Sequence, residues 1–177
     1  MNMKRRNIVI LSLTVAAVML IALGYSFLST EAGGEPRLTV VAPSAALSPG
    51  DEFEVGVVLE NNPGIAIFCL WMAYDETRFE YVSVSNGPVL DEQSLADRDV
   101  IFQDMQTVRV TNGLRVESFD GDGELYTVRF RVRDDAASGA ATFELTYRVG
   151  DIVGEPRQPG NLPRNFAPKT INGSVSI

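Results

Sequence analysis

The feature that most constrains the fold is a tight turn followed by a long apolar strand. Asn61-Asn62-Pro63-Gly64 leads directly into Ile65–Tyr74, a run with large side chains at odd and even positions alike. Proline fixes its own φ angle and glycine accepts conformations that other residues resist, so Pro63-Gly64 predicts that the chain reverses here. A surface strand usually buries one face and leaves the other in water. Two apolar faces therefore predict that the second face also contacts something.

The chain from Arg37 onward has the pattern of an all-β sandwich. Short alternating runs such as Glu52–Glu60 are bounded by turn residues, and Asn112-Gly113 predicts a hairpin with Leu114–Phe119 as its return strand. A change of phase near Tyr126 indicates a bulge. We predict nine strands, no helix after the N-terminus, and loops at the polar residues 91–99 and the proline-rich residues 150–168.

The N-terminus has the composition of an export segment. Three basic residues at positions 4–6 precede an apolar run of 21 uncharged residues at 8–28. The run is longer than a usual signal core of about 7–15 residues and close to the roughly 20 that span a bilayer, so a cleaved signal and a membrane anchor helix both stay open. We predict a signal peptide or anchor at 1–30, a linker at 31–36 and the sandwich at 37–177, in an exported bacterial protein that is secreted or held at the cell surface.

The composition removes most catalytic functions. The sequence has no histidine, which is the commonest general base and zinc ligand, and its one cysteine is Cys69. Asp75, Asp104 and Glu117 could belong to a carboxylate pair, but 23 acidic residues make such coincidences common. Asp120–Gly123 fails as a calcium loop because the twelfth position is Arg131 instead of glutamate. We predict no enzyme activity, no metal and no cofactor.

The charge excludes two classes of partner. The formal net charge is −8, and it becomes −11 if the three basic residues at 4–6 are removed. A strongly acidic domain repels nucleic acid and anionic lipid, so neither is expected as a main ligand. Cys69 has no second cysteine to pair with and is interpreted either as a small hydrophobic residue or as part of a surface contact.

The order of short motifs along the chain resembles that of a cohesin domain. The motifs of the first half are Gly50-Asp51-Glu52-Phe53-x-Val55-x-Val57, Asn61–Ala66 and Tyr74-Asp75. The motifs of the second half are Asp122–Leu125, Val128–Val132, Ser138-Gly139, Phe143-x-Leu145 and the terminal Asn172–Ile177. The resemblance covers Leu38 to Ile177 and implies a nine-stranded jelly-roll β-sandwich.

The resemblance also implies a binding role without catalysis. Cohesins capture dockerin modules, which carry their own calcium, and so attach polysaccharide-degrading enzymes to scaffoldins. The expected partner is a dockerin-bearing protein, with a membrane tether if residues 8–28 are retained. Some cellulose-binding modules share this sandwich, so a carbohydrate-binding module for polysaccharide is the alternative, and a self-associating surface domain is the third. One Trp and five Tyr make a poor aromatic row for a glycan.

The candidate binding residues lie on the strand after the Pro63-Gly64 turn, which in the family is on the dockerin-binding face. Alternation puts Phe68, Leu70 and Met72 on one side of this strand. It puts Ile67, Cys69, Trp71 and Ala73 on the other. One cohesin class is often polar at the positions of Ile67 and Cys69, so apolar residues here favour a more hydrophobic contact with Trp71 as its anchor. The competing interpretation is that a loop, such as residues 91–99, covers this side.

Three residues of the predicted hairpin complete the candidate site. Arg115, Glu117 and Phe119 point to the same side of that strand. If the strand neighbours the Trp71 strand, as in the family, they form a rim around the patch. Arg115 and Glu117 could equally belong to an ordinary solvated face.

Overall fold

The structure is a computed structural model that describes residues 34–90, 95–112, 118–119, 121–154 and 164–177. The predicted export segment, Arg115, Glu117 and most of the predicted return strand at 114–119 lie outside these residues.

The described residues contain twelve strands and one short 3₁₀ helix. They are β1 (Arg37–Val41), β2 (Glu52–Glu60), β3 (Ile65–Ala73), β4 (Phe79–Asn86), the 3₁₀ helix Pro88–Leu90, β5 (Ala96–Phe102), β6 (Met105–Thr111), β7 (Gly123–Val132), β8 (Ala140–Thr146), β9 (Ile152–Gly154), β10 (Arg164–Asn165), β11 (Lys169–Ile171) and β12 (Gly173–Ser176).

The strands form two sheets. One sheet has the order β11-β1-β2-β7-β4, and the other has the order β10-β9-β3-β6-β5, with β8 beside β3 and β12 beside β8. The β1–β11 pair is parallel and the other described pairs are antiparallel. The all-β sandwich is therefore confirmed. The strand count is higher than nine because β9, β10 and β11, with two or three residues each, lie within and just after the segment predicted as a proline-rich loop.

The core lies between the sheets and is built from the alternating apolar positions. β2 contributes Phe53, Val55, Val57 and Leu59, all buried. Phe130 of β7 lies at the centre of an aromatic cluster, with ring centroids 5.1 Å from Phe143 and 4.9 Å from Tyr74. Burying each large apolar side chain stabilises the fold by about 1.5–3 kcal/mol, which explains why these positions alternate so regularly.

The predicted bulge near Tyr126 is confirmed. The β2–β7 register pairs Val57 with Tyr126 but Val58 with Glu124, so Leu125 is an extra residue in β7. Leu125 and Tyr126 are both buried, which is the change of phase seen in the sequence.

The prediction that residues 91–99 form a loop is wrong for its second half. Ala96–Phe102 is strand β5, an edge strand paired along its full length with β6. Asp97, Arg98 and Asp99 are exposed and charged, so this part of the strand lacks the alternating apolar pattern that predicts a strand from sequence. Charged residues on an edge are a common protection against unwanted strand pairing.

The Pro63-Gly64 turn carries the chain from one sheet to the other, because β2 and β3 belong to different sheets. Gly64 has φ of +89°, which only glycine adopts without strain. The side-chain oxygen of Asn62 accepts hydrogen bonds from the backbone N–H groups of Gly64 and Ile65, both at 3.0 Å. This crossing fixes where β3 begins and therefore which of its side chains face the core.

Candidate functional site

Strand β3 has one fully buried side and one half-exposed side. Phe68, Leu70 and Met72 are at most 1% exposed. Ile67, Cys69 and Trp71 are partly exposed on the outer side of the sheet. The predicted separation is confirmed by this burial pattern for these six residues, whereas Ala73, predicted on the outer side, is buried.

Trp71 is covered by side chains from three neighbouring segments. Its ring stacks on Phe102 of β5, with centroids 4.1 Å apart and planes inclined by 21°. The guanidinium of Arg148, in the β8–β9 turn, lies 5.3 Å from the Trp71 ring and 4.5 Å from the Phe102 ring. The guanidinium of Arg109, on β6, lies 5.5 Å from the Trp71 ring. Trp71 Nε1 is buried and has no hydrogen-bond partner among the described residues.

Strand pairing extends this arrangement into a row across four strands. Trp71 is in register with Thr146 of β8 and with Arg109 of β6, and Arg109 is in register with Arg98 of β5. Side chains of residues in register project from the same side of a sheet. We call this surface the Trp71 face; its residues are Ile67, Cys69, Trp71, Arg98, Phe102, Arg109, Thr146 and Arg148.

Cys69 contacts a charged group. Nε of Arg109 donates a hydrogen bond to its Sγ at 3.2 Å, and this contact raises the pKa of Arg109 above its usual value. The thiol is free and half-exposed. Cys69 is therefore part of the surface and not a residue of the core.

The edge strand that carries Phe102 is held in place from its other side. The Tyr74 hydroxyl donates to Oδ1 of Asp99 at 3.0 Å, and Nε2 of Gln106 donates to the same atom at 2.8 Å. The Tyr81 hydroxyl donates to Asp97. Burial and the neighbouring carboxylates raise the pKa of both tyrosines, so the phenols stay protonated as donors.

The placement of Phe119 at the rim is wrong. Phe119 is 5% exposed and its ring meets Phe68 edge-on, with centroids 6.4 Å apart. Ser118 and Phe119 are not in a strand. The backbone N–H of Phe119 donates to the Ile65 carbonyl at 3.0 Å and its carbonyl accepts from Asn62 at 2.8 Å, which turns the ring into the core.

The structure thus brings Ile67, Cys69 and Trp71 together and removes Phe119 from the predicted rim. The rim positions of Arg115 and Glu117 lie outside the described residues and stay a prediction. The residues that the sequence did not single out are Arg98, Phe102, Arg109 and Arg148. Phe102 and Arg148 lie at a strand end and in a turn, where side-chain direction cannot be read from alternation. Residues 91–94 of the predicted covering segment lie outside the described part, and of its remaining residues 95–99 none has a ring or cation contact with Trp71. The ring that stacks on Trp71 is Phe102, which lies beyond that segment at the end of β5.

Within the described residues, no group of three or more His, Cys, Asp or Glu side chains could hold a metal ion. No helix in this part of the chain is long and apolar enough to cross a membrane.

The two sheets and the half-exposed Trp71 face define a β-sandwich module with a formed outer surface. The family model described as the cohesin domain matches residues 37–153, more than half of the chain. The chain belongs to the cohesin family.

Known relatives agree with this membership. Cellulose-binding protein A of Clostridium cellulovorans is 25% identical over 146 residues, which are 82% of this chain. The chain spans only 8% of the length of that relative.

Solved structures of cohesins share the fold. A type I cohesin–dockerin complex from Clostridium thermocellum superposes with a TM-score of 0.63 at 22% identity, over 80% of this chain and 99% of that chain. A non-cellulosomal cohesin from the archaeon Archaeoglobus fulgidus superposes with a TM-score of 0.60 at 22% identity, over 81% of this chain and 91% of that chain.

Proposed function

We propose that this chain is a non-catalytic module that binds dockerin domains through the Trp71 face. The observation that carries the proposal is the stack of Trp71 on Phe102 at the centre of a partly exposed sheet surface. Aromatic anchors surrounded by less critical contacts dominate the energetics of protein interfaces. Apolar Ile67, further along the same side of β3, extends this side into a surface suited to a folded partner.

Family membership supports the class of partner. Several cohesins that share this fold were solved in complex with dockerins, including those of Clostridium thermocellum and Acetivibrio cellulolyticus. In this proposal the dockerin brings its own calcium and its attached enzyme does the catalysis. The chain itself is an exported docking point for polysaccharide breakdown, and its predicted signal or anchor at 8–28 decides whether it is released or tethered.

The exposure of the aromatic residues favours a protein partner over a glycan. No aromatic side chain in the described part of the chain is more than partly exposed. A flat polysaccharide surface requires a row of open rings. Here the Trp71 and Phe102 rings stack on each other with Arg148 over both. This arrangement offers edges and a cationic rim, which suits side chains of a protein.

The proposal is tested by calorimetry of the full chain against dockerin modules encoded in the same genome. We expect binding in calcium and its loss after chelation, because the calcium belongs to the dockerin. Retention on microcrystalline cellulose together with no affinity for any dockerin would replace this proposal by the carbohydrate-binding alternative.

The substitution Trp71→Ala tests the face itself. We expect dockerin binding to weaken by about 2 kcal/mol or more, since a central anchor is removed. Ile67→Glu, which places a charge on the same side without touching the stack, should weaken it as well. Val82→Ala, at an exposed position on β4 of the opposite sheet, is the matched control and should change nothing. Unchanged affinity in folded Trp71→Ala and Ile67→Glu proteins would mean that the dockerin binds elsewhere.

A further inference from the structure

We propose that the Trp71 face recognises a carboxylate-bearing segment of its partner, with Arg98, Arg109 and Arg148 as the cationic contacts. This inference rests on the proposed function, which supplies a folded dockerin as the partner. It adds the chemistry of the contact: an acidic side chain on the partner, inserted at the edge of the aromatic stack.

Ion pairing divides the arginines of the described residues into two groups. Five of the nine pair with a carboxylate within 4.0 Å: Arg37, Arg78, Arg129, Arg131 and Arg133. They belong to the five-stranded sheet or to turns that adjoin it. The other four have no such pair: Arg98, Arg109, Arg148 and Arg164. All four belong to the seven-stranded sheet or its turns, and three of them lie on the Trp71 face.

This distribution is unexpected for an acidic chain. The formal net charge is −8, with 23 acidic residues available as partners. Arg98 and Arg109 are nevertheless placed directly opposite each other on neighbouring strands. Like charges directly opposite each other destabilise a sheet. On a surface that carries an aromatic anchor, we take the compensating charge to come from the partner.

The geometry leaves donor groups available on the guanidinium groups. Arg148 lies over the Trp71 and Phe102 rings, and a guanidinium stacked on a ring keeps its N–H groups at the edge free to donate. Arg109 uses Nε for the Cys69 sulfur, so its two terminal nitrogens remain. Both guanidinium centres are within 5.5 Å of the same Trp71 ring. A carboxylate at this edge could accept hydrogen bonds from both, in the charge-assisted arrangement that guanidinium favours.

Among the described residues, the carboxylates near this face do not fill that position. Asp97 and Asp99 of β5 are bound to Tyr81 and Tyr74 on the other side of the strand. Asp151 accepts the backbone N–H of Arg148 at 2.7 Å, and its charge helps to raise the pKa of Arg109 without an ion pair within 4.0 Å. The register places Glu144 beside Ala73 at the end of β3, and it forms no ion pair with Arg109 or Arg148 within 4.0 Å. In this proposal the partner supplies the carboxylate.

Charge reversal in the full chain tests the inference, with a dockerin that the wild-type chain binds as the probe. We expect Arg148→Glu to raise the dissociation constant about tenfold or more, because it sets a like charge against the partner's carboxylate. Arg129→Glu, at an exposed and paired arginine of the opposite sheet, should leave it within about twofold. Raising the salt from about 50 to 500 mM should weaken binding of the wild type clearly more than that of Arg148→Glu.

The decisive test is a complementary charge exchange on the dockerin. Replacing each surface Asp or Glu of the dockerin by Lys in turn should yield one variant that loses affinity for the wild-type chain and regains it for Arg148→Glu. If Arg148→Glu binds the dockerin as tightly as the wild type, or if no exchange restores affinity, the inference is wrong while the proposed function stands. If the wild-type chain binds no dockerin at all, both fall together.

Discussion

At the scale of single residues, the strand that carries the site is positioned by two asparagines. Asn62 binds the backbone at Gly64, Ile65, Phe119 and Gly121 and so holds the crossing between the sheets. Asn112, which the sequence marked only as a turn residue, is buried and acts at the other side of β3. Its Oδ1 accepts from the Phe68 N–H at 2.9 Å and its Nδ2 donates to the Ala66 carbonyl at 2.8 Å. The Asn112 side chain therefore continues the hydrogen bonding between β3 and β6 beyond their last paired residues, Cys69 and Thr111.

The substitution Asn112→Ala should destabilise the fold by about 2 kcal/mol or more, because it leaves two buried backbone groups of β3 without partners. Denaturant unfolding followed by circular dichroism measures the loss. Asn172→Ala is the control, since that side chain accepts a single, partly buried bond from Leu145 at 3.2 Å and should cost clearly less. Equal losses of unfolding free energy in the two variants would show that the two buried Asn112 hydrogen bonds stabilise the fold no more than the single bond of Asn172.

At the scale of elements, the site needs strand β5, whose first part the sequence did not predict. Its pairing with β6 and its contacts with Tyr74 and Tyr81 set the position of Phe102 and therefore the cover of Trp71. Trp71 is the only tryptophan in the chain, so its fluorescence reports on this cover directly.

The substitution Phe102→Ala should expose Trp71 while the sandwich survives, because β5 lies at the sheet edge. We expect a red-shifted emission and stronger quenching by acrylamide than in the wild type. Phe166→Ala, which removes a partly buried ring packed against the core away from Trp71, is the control and should leave quenching unchanged. Wild-type quenching in a folded Phe102→Ala protein would mean that the stack does not cover Trp71.

At the scale of the whole molecule, four tyrosines link stability to alkaline pH. Burial raises the pKa of Tyr74, Tyr81, Tyr126 and Tyr147. A phenol with a raised pKa in the folded state loses its proton first in the unfolded chain, so the folded state holds more protons above the unfolded value of about 10. The stabilisation is fully present below that pH and is lost as the pH rises further.

We therefore expect the free energy of unfolding to fall steadily above about pH 10. Tyr126 is fully buried and its hydroxyl has no hydrogen-bond partner among the described residues. Tyr126→Phe should reduce the slope by up to about 1.4 kcal/mol per pH unit, and at neutral pH it should be neutral or stabilising. Urea unfolding at a series of pH values between about 8 and 11, a range that brackets the phenol pKa of the unfolded chain, measures both effects. If the free energy of unfolding of Tyr126→Phe falls with pH as steeply as that of the wild type, Tyr126 does not contribute to the pH dependence.

Particular residues show how far sequence reasoning reached. The alternation in β2 and β7, the bulge at Tyr126 and the two sides of β3 were predictable because buried apolar side chains impose a period of two on a strand. The inward position of Phe119 and the first part of β5, residues 96–99, were not. Phe119 turns inward because of hydrogen bonds to distant residues, and an edge strand with charges on it carries no apolar period.

The sequence by itself determined the all-β class, the core positions, the cohesin resemblance and the outward set of Ile67, Cys69 and Trp71, because these depend on local periodicity and on the order of motifs. The tertiary structure decided what surrounds that set. Phe102, Arg109 and Arg148 come from an edge strand, a paired strand and a turn that lie far from Trp71 in the chain, and they meet only through strand register and the packing of side chains. Long-range pairing of this kind leaves no mark on local sequence, so the arginines around the tryptophan became visible only in the folded sheet.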